Sequence, residues 1–119
     1  TAPSTLFRPT TIVHRDLNFL NCFKTEDGLA LLDYQLTCYA DPLLEYAVIL
    51  LKYYPDVAFT KAVLASKTYQ KLKQGSASSN AVITFYLVVL GLYDLVLSDG
   101  RHDVSREVLQ KLVNQEITL

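Results

Sequence analysis

The sequence predicts an α+β fold in which short strands come first and helices follow, and three patterns carry that prediction. Short apolar runs bounded by turn residues occupy the first third of the chain. An Asp-Pro pair at 41–42 marks where a helical pattern begins. From there to the end, apolar residues recur at helical intervals and no internal repeat is visible. The 119 residues suffice for one domain with a core, spanning 1–119, and are too few for two ordinary ones.

In order, residues 1–9 read as a loop, with prolines at 3 and 9 and no period. Thr10-Thr11-Ile12-Val13 is a β-branched run that reads as a strand ending at His14. Leu20-Asn21-Cys22-Phe23 and Leu29-Ala30-Leu31-Leu32 flank Thr25-Glu26-Asp27-Gly28, where Gly after Asp supplies the positive φ of a tight turn. Residues 20–33 are therefore read as a hairpin. A loop through Cys38-Tyr39-Ala40 leads to Asp41 as N-cap and Pro42 as the first helical residue. The helix 42–54 carries Leu43, Leu44, Ala47, Val48, Leu50 and Leu51 before Pro55 ends it. A second helix is expected over 56–73, with Val57, Val63, Leu64 and Leu72 inward and Lys61, Lys67, Lys71 and Lys73 as a solvated face. Residues 75–80 form the clearest linker.

The most apolar stretch, 81–97, carries Asp94 and Gly91 and is short for a membrane span, so it is read as a buried helix of a soluble core. Asp103 is expected to cap a final amphipathic helix reaching Gln115, with Val104, Val108, Leu109, Leu112 and Val113 as its stripe.

Half of the residues are hydrophobic and 19% are charged, a balance that argues against disorder. The formal net charge of −1 provides no broad basic field for nucleic acid or an anionic membrane. Cys22 and Cys38 lack zinc-type spacing and read as buried free thiols in a reducing, cytoplasmic compartment. No Gly-x-Ser-x-Gly elbow, HExxH or CxxC is present, so hydrolase and zinc-enzyme readings have no support. His102-Asp103 beside Arg101 reads as a turn before a helix, and Tyr39, Tyr46, Tyr53 and Tyr54 as packing side chains.

The chemistry gathers in residues 14–35. Phosphoryl transfer asks the protein for a carboxylate near the attacking hydroxyl and for groups that hold Mg²⁺ on the nucleotide phosphates. His14-Arg15-Asp16-Leu17-Asn18-Phe19-Leu20-Asn21 offers both. Asp16 would accept the proton of an incoming alcohol, and the amide oxygen of Asn21 would face the same cavity. Asp33, at the far end of the hairpin, would be the main Mg²⁺ ligand, because a hard cation prefers carboxylate oxygens. His14 is a candidate in the same catalytic loop, as a support for its backbone rather than as the group that moves protons.

The segment Val13–Leu50 resembles the aminoglycoside-phosphotransferase and choline-kinase superfamily of protein-kinase-like enzymes. Three stretches carry the likeness: His14–Asn21, Leu32-Asp33-Tyr34-Gln35 and Ala40-Asp41-Pro42. The run Leu32–Pro42 is most similar to the ecdysteroid-kinase-like (CHK) branch. The resemblance implies a kinase C-terminal lobe, a hairpin with its catalytic loop followed by about four helices. It also implies Asp16 as catalytic base, Asn21 and Asp33 as magnesium and nucleotide ligands, Mg²⁺ and ATP as cofactors, and a small-molecule alcohol as acceptor. In two places the chain departs from the family pattern. Arg15 stands where these enzymes usually have Gly, and Glu45 replaces the Asp that steadies the catalytic loop.

Such enzymes also need a small β-rich lobe with a phosphate-holding lysine. The residues before His14 contain no lysine and no Gly-rich loop, and the chain contains no methionine. The sequence is thus expected to be the C-lobe part of a longer kinase, with the nucleotide clamp supplied from outside these residues or by a partner chain. The alternative expectation is a catalytically inactive homologue acting as a binding or structural subunit.

Overall fold

The computed structural model describes residues 9–75, 77–98 and 103–119. Among them are five α-helices and two small antiparallel sheets, an α+β arrangement. The expected loop over 1–9 lies outside the described residues except for Pro9, and so do residues 100–102 of the turn before the last helix.

Strand β1, Thr11–Val13, pairs with β4, Cys38–Ala40, in the register Thr11↔Ala40, Ile12↔Tyr39 and Val13↔Cys38. The loop expected at 38–40 is therefore a strand. Its three residues carry no alternating pattern of their own, and it is the β-branched run opposite that recruits them. Strands β2, Cys22–Thr25, and β3, Gly28–Leu31, form the hairpin, closed by Gly28 at φ 136°. The paired part is shorter than the expected 20–33. Asn21 ends a 3-10 turn, Phe19–Asn21, instead of starting a strand, and Asp33 lies beyond the end of β3.

Helix α1, Pro42–Tyr53, begins on Asp41, whose side chain accepts the Leu43 N–H as Pro42 takes the position that needs no donor. The single helix expected over 56–73 is two, α2 (Val57–Ala65) and α3 (Lys67–Gln74). Ser66 divides them because its backbone is extended and its hydroxyl caps α3 by accepting the Tyr69 N–H. Lys73 departs from the solvated face, donating to the Leu119 carbonyl and lying over the Tyr69 ring. Val57 is exposed and not inward.

Helix α4, Ser79–Leu97, starts inside the expected linker, with buried Ser79 donating to the Leu72 carbonyl. It is long and apolar enough to cross a membrane by length and composition. Its packed face holds Val82, Ile83, Leu87 and Gly91, whereas Phe85, Val89, Leu92, Tyr93, Val96 and Leu97 are exposed, so the expected buried helix is covered on one side only. Helix α5 spans Asp103–Val113, with Asp103 already its first helical residue. Val113, expected on the apolar stripe, is exposed. Cys22 and Cys38 are free thiols, half-buried where full burial was expected.

The core is helical: Leu43, Ala47, Leu50 and Leu51 of α1 meet Tyr69 of α3, Val82, Ile83 and Leu87 of α4 and Val108 of α5. The four tyrosines 39, 46, 53 and 54 do not gather: Tyr39 is exposed, Tyr46 packs on Tyr69, Tyr53 on Phe19, and Tyr54 under Lys111.

Candidate active site

The loop 14–21 is built by its own side chains. Asn18 caps the 3-10 turn, its Oδ1 accepting the N–H groups of Leu20 at 2.8 Å and Asn21 at 3.1 Å. Both Asn18 and Asn21 donate through Nδ2 to the Asp16 carbonyl, at 3.1 and 3.0 Å. The Phe19 N–H donates to the Tyr53 hydroxyl at 2.7 Å, and its ring packs on Tyr53 and Phe59. Two consecutive amides, His14 N–H and Arg15 N–H, are received by the carboxylate of Glu45 on α1, the second at 3.0 Å. These two donors lie in a bend where no strand partner reaches them, so one charged acceptor from the neighbouring helix fixes the loop.

His14 is buried. Its Nδ1 accepts the Asp16 N–H at 3.2 Å, so Nε2 carries the proton and donates to the Leu32 carbonyl at 2.7 Å. Leu32 in turn donates its N–H to the Asn21 carbonyl at 2.8 Å. Through the backbone of this one residue the loop, the hairpin and the segment carrying Asp33 are tied together. Asp33 follows at φ 60°, a left-handed conformation that Asp tolerates better than most residues. Its side chain is exposed and makes no hydrogen bond or ion pair among the described residues.

Asp16 sits where both carboxylate oxygens meet donors. Lys52 Nζ lies 2.6 Å from Oδ1 and Asn21 Nδ2 lies 3.3 Å from Oδ2. The hydrogen bond from Lys52 holds the Asp16 carboxyl below its ordinary range, against the opposing effect of burial, with the lysine charge and the Asn21 amide adding to it. At neutral pH Asp16 is an anion, ready to accept a proton but weakly basic.

Lys52 was not legible as a site residue, yet a signal for it exists. It stands seven residues after Glu45, two helical turns along the same face of α1, and both side chains reach the loop. Asp16 and Lys52 also open onto a cleft of about 680 Å³ between the loop, α1, α4 and α5. Arg15, Leu36, Leu51, Leu90 and Tyr93 line it, and Asp94, Asp103 and Ser105 stand on its α4–α5 side.

The structure thus ties Asp16, His14 and Asn21 into one hydrogen-bonded loop and brings Asp33 next to the residue paired with Asn21. Among the described residues, no three His, Cys, Asp or Glu side chains gather in a metal-binding group. Asn21 directs its amide N–H groups at Asp16, which leaves its carbonyl oxygen available, and Asp33 offers an unpartnered carboxylate. Two such oxygen donors suit Mg²⁺, which completes its shell with phosphate and water oxygens. Compared with family models, curated proteins and solved structures, the chain gives no match.

Proposed function

We propose that residues 14–35 are the proton-accepting and magnesium-binding half of a small-molecule kinase site, in a lobe of protein-kinase-like fold. The observation that carries this reading is the convergence on Leu32: His14 on its carbonyl, Asn21 on its N–H, and Asp33 as the next residue. A carboxylate on a hydrogen-bonded loop, with two oxygen donors at the ends of the adjoining hairpin, supports the division of labour phosphoryl transfer requires. Asn21 and Asp33 would hold Mg²⁺, and bound Mg-ATP would supply the phosphoryl group with its charge partly neutralised.

The chain's own part is orientation and proton transfer. An acceptor alcohol in the cleft donates its hydroxyl to the Asp16 carboxylate, which aligns its oxygen. As that oxygen bonds phosphorus, Asp16 takes the hydroxyl proton, and ADP leaves. Lys52 beside Asp16 makes the protonated form short-lived, so the proton passes on to water. Phosphate contacts beyond these come from a small lobe or a partner chain.

The test is transfer from ATP to small alcohols by the protein as its gene encodes it. Asp16→Asn and Asp33→Asn are each expected to lower kcat by at least about a hundredfold with the fold retained by circular dichroism. Turnover indifferent to Asp16→Asn would sink the reading. The ion pair that occupies Asp16 also favours a second reading, a catalytically silent relative that uses the loop to bind or scaffold. It predicts no transfer by the wild-type chain and no Mg²⁺-dependent shift of Asn21 and Asp33 resonances.

A further inference from the structure

The cleft at Asp16 has a polarity that the transfer reaction does not need. At its loop end stand two cations, Arg15 and Lys52, and at its α4–α5 end two carboxylates, Asp94 and Asp103, with Ser105. Between them the walls are apolar, from Leu36, Leu51, Leu90 and Tyr93. The two cations differ in one respect. Lys52 is matched by Asp16 at 2.6 Å, whereas the Arg15 side chain makes no hydrogen bond or ion pair among the described residues.

Arg15 is also placed at a cost. Its backbone φ is 69°, in the left-handed region that a residue with a Cβ rarely adopts. Glu45 fixes that conformation by receiving the Arg15 N–H. The strained peptide sets an unmatched guanidinium at the mouth of an apolar cleft, directly before the residue that receives the acceptor hydroxyl. A planar fork of donors is suited to a carboxylate.

We propose that Arg15 reads an acid group on the acceptor, so that the substrate is a hydroxy acid with an apolar tail. Resting on the phosphotransferase reading, this names its substrate class. The order of contacts follows from the chain. Because Arg15 directly precedes Asp16 and both line the cleft, the acid and the hydroxyl are taken by neighbouring residues, and a β-hydroxy acid with an apolar tail serves as the probe. The tail runs along Leu51, Leu90 and Tyr93. A cleft of about 680 Å³ falls within the roughly 300–1,000 Å³ of small-molecule sites.

The test needs neither nucleotide nor turnover. Binding of β-hydroxydecanoate and of its methyl ester to the chain is measured by calorimetry, for wild type, Arg15→Gly and Arg15→Lys. The acid is expected to bind at least about tenfold more tightly than the ester, the scale of one charge-assisted hydrogen bond. Arg15→Gly should abolish that preference and Arg15→Lys keep part of it. Glycine enters positive φ freely, so the first variant folds. Equal binding of acid and ester, no binding of either, or a preference that survives Arg15→Gly overturns the proposal. None of those results touches the kinase reading, which stands or falls on transfer and on Asp16.

Discussion

Glu45 shows how much of this site rests on single side chains. Its carboxylate receives the N–H groups of both His14 and Arg15. Glu45→Ala should cost about 1–3 kcal/mol in urea denaturation, the range for unsatisfied partly buried donors, and speed amide exchange at His14 and Arg15 above all. The sequence marked Glu45 as standing where the kinases it resembles carry a loop-steadying Asp. What the sequence could not give is the pairing of Lys52 with Asp16, because it depends on how α1 lies against the loop. Tyr69 makes the opposite case. Fully buried, its hydroxyl has no hydrogen-bond partner among the described residues, and burial pushes its pKa up to about 12. Removing an unpaired buried polar atom relieves a desolvation penalty, so Tyr69→Phe should raise stability by about 1 kcal/mol in the same measurement.

At the scale of elements, helix boundaries were legible where a capping side chain marks them and obscure where packing decides. Asp41-Pro42 announced α1 because cap and first-turn proline act locally. Ser66 carried the same kind of signal and was read through, since the apolar spacing on both sides of it is helical. Strand β4 had no local signal at all; only its partner β1 makes it a strand. Helix α4 adds a different lesson, for its apolar composition suggested burial all round. One face meets α1 and α5, and the crossing with α5 is set by Gly91: a Cβ there would lie 3.1 Å from Cγ and Cδ2 of Leu109. Gly91→Ala gains about 1 kcal/mol of helix propensity against that contact and should stay within about 1 kcal/mol of wild type. Gly91→Val cannot be absorbed in this way and should lose about 2 kcal/mol by chemical denaturation. Leu109→Ala in the Gly91→Val background should cost less than it does in wild type, because it opens the space that valine needs.

In the molecule as a whole, the hydrophobic core and the hairpin occupy different regions. Every residue of the buried cluster belongs to α1, α3, α4 or α5, and none to the hairpin. The hairpin exposes Phe23 and Leu29, and Leu20 before it and Leu32 after it are exposed too. Among the attachments that hold it and its loop to the helices are His14 on the Leu32 carbonyl, Glu45 under the loop, Lys52 on Asp16, and Phe19 on Tyr53. Elements with little buried apolar area and few tethers open at lower free energy than the global transition. The β2–β3 amides should therefore exchange through a partial opening that leaves α1 and α4 protected. Phe19→Ala removes the aromatic contacts with Tyr53 and Phe59 while keeping the backbone N–H, so it should speed hairpin exchange severalfold and leave α4 exchange unchanged. Uniform acceleration of both regions would mean that the hairpin unfolds only with the core. The distinction bears on function, since Asn21 and Asp33 flank this hairpin: a locally opening hairpin makes magnesium binding an ordering event, and Mg²⁺ should then slow β2–β3 exchange selectively.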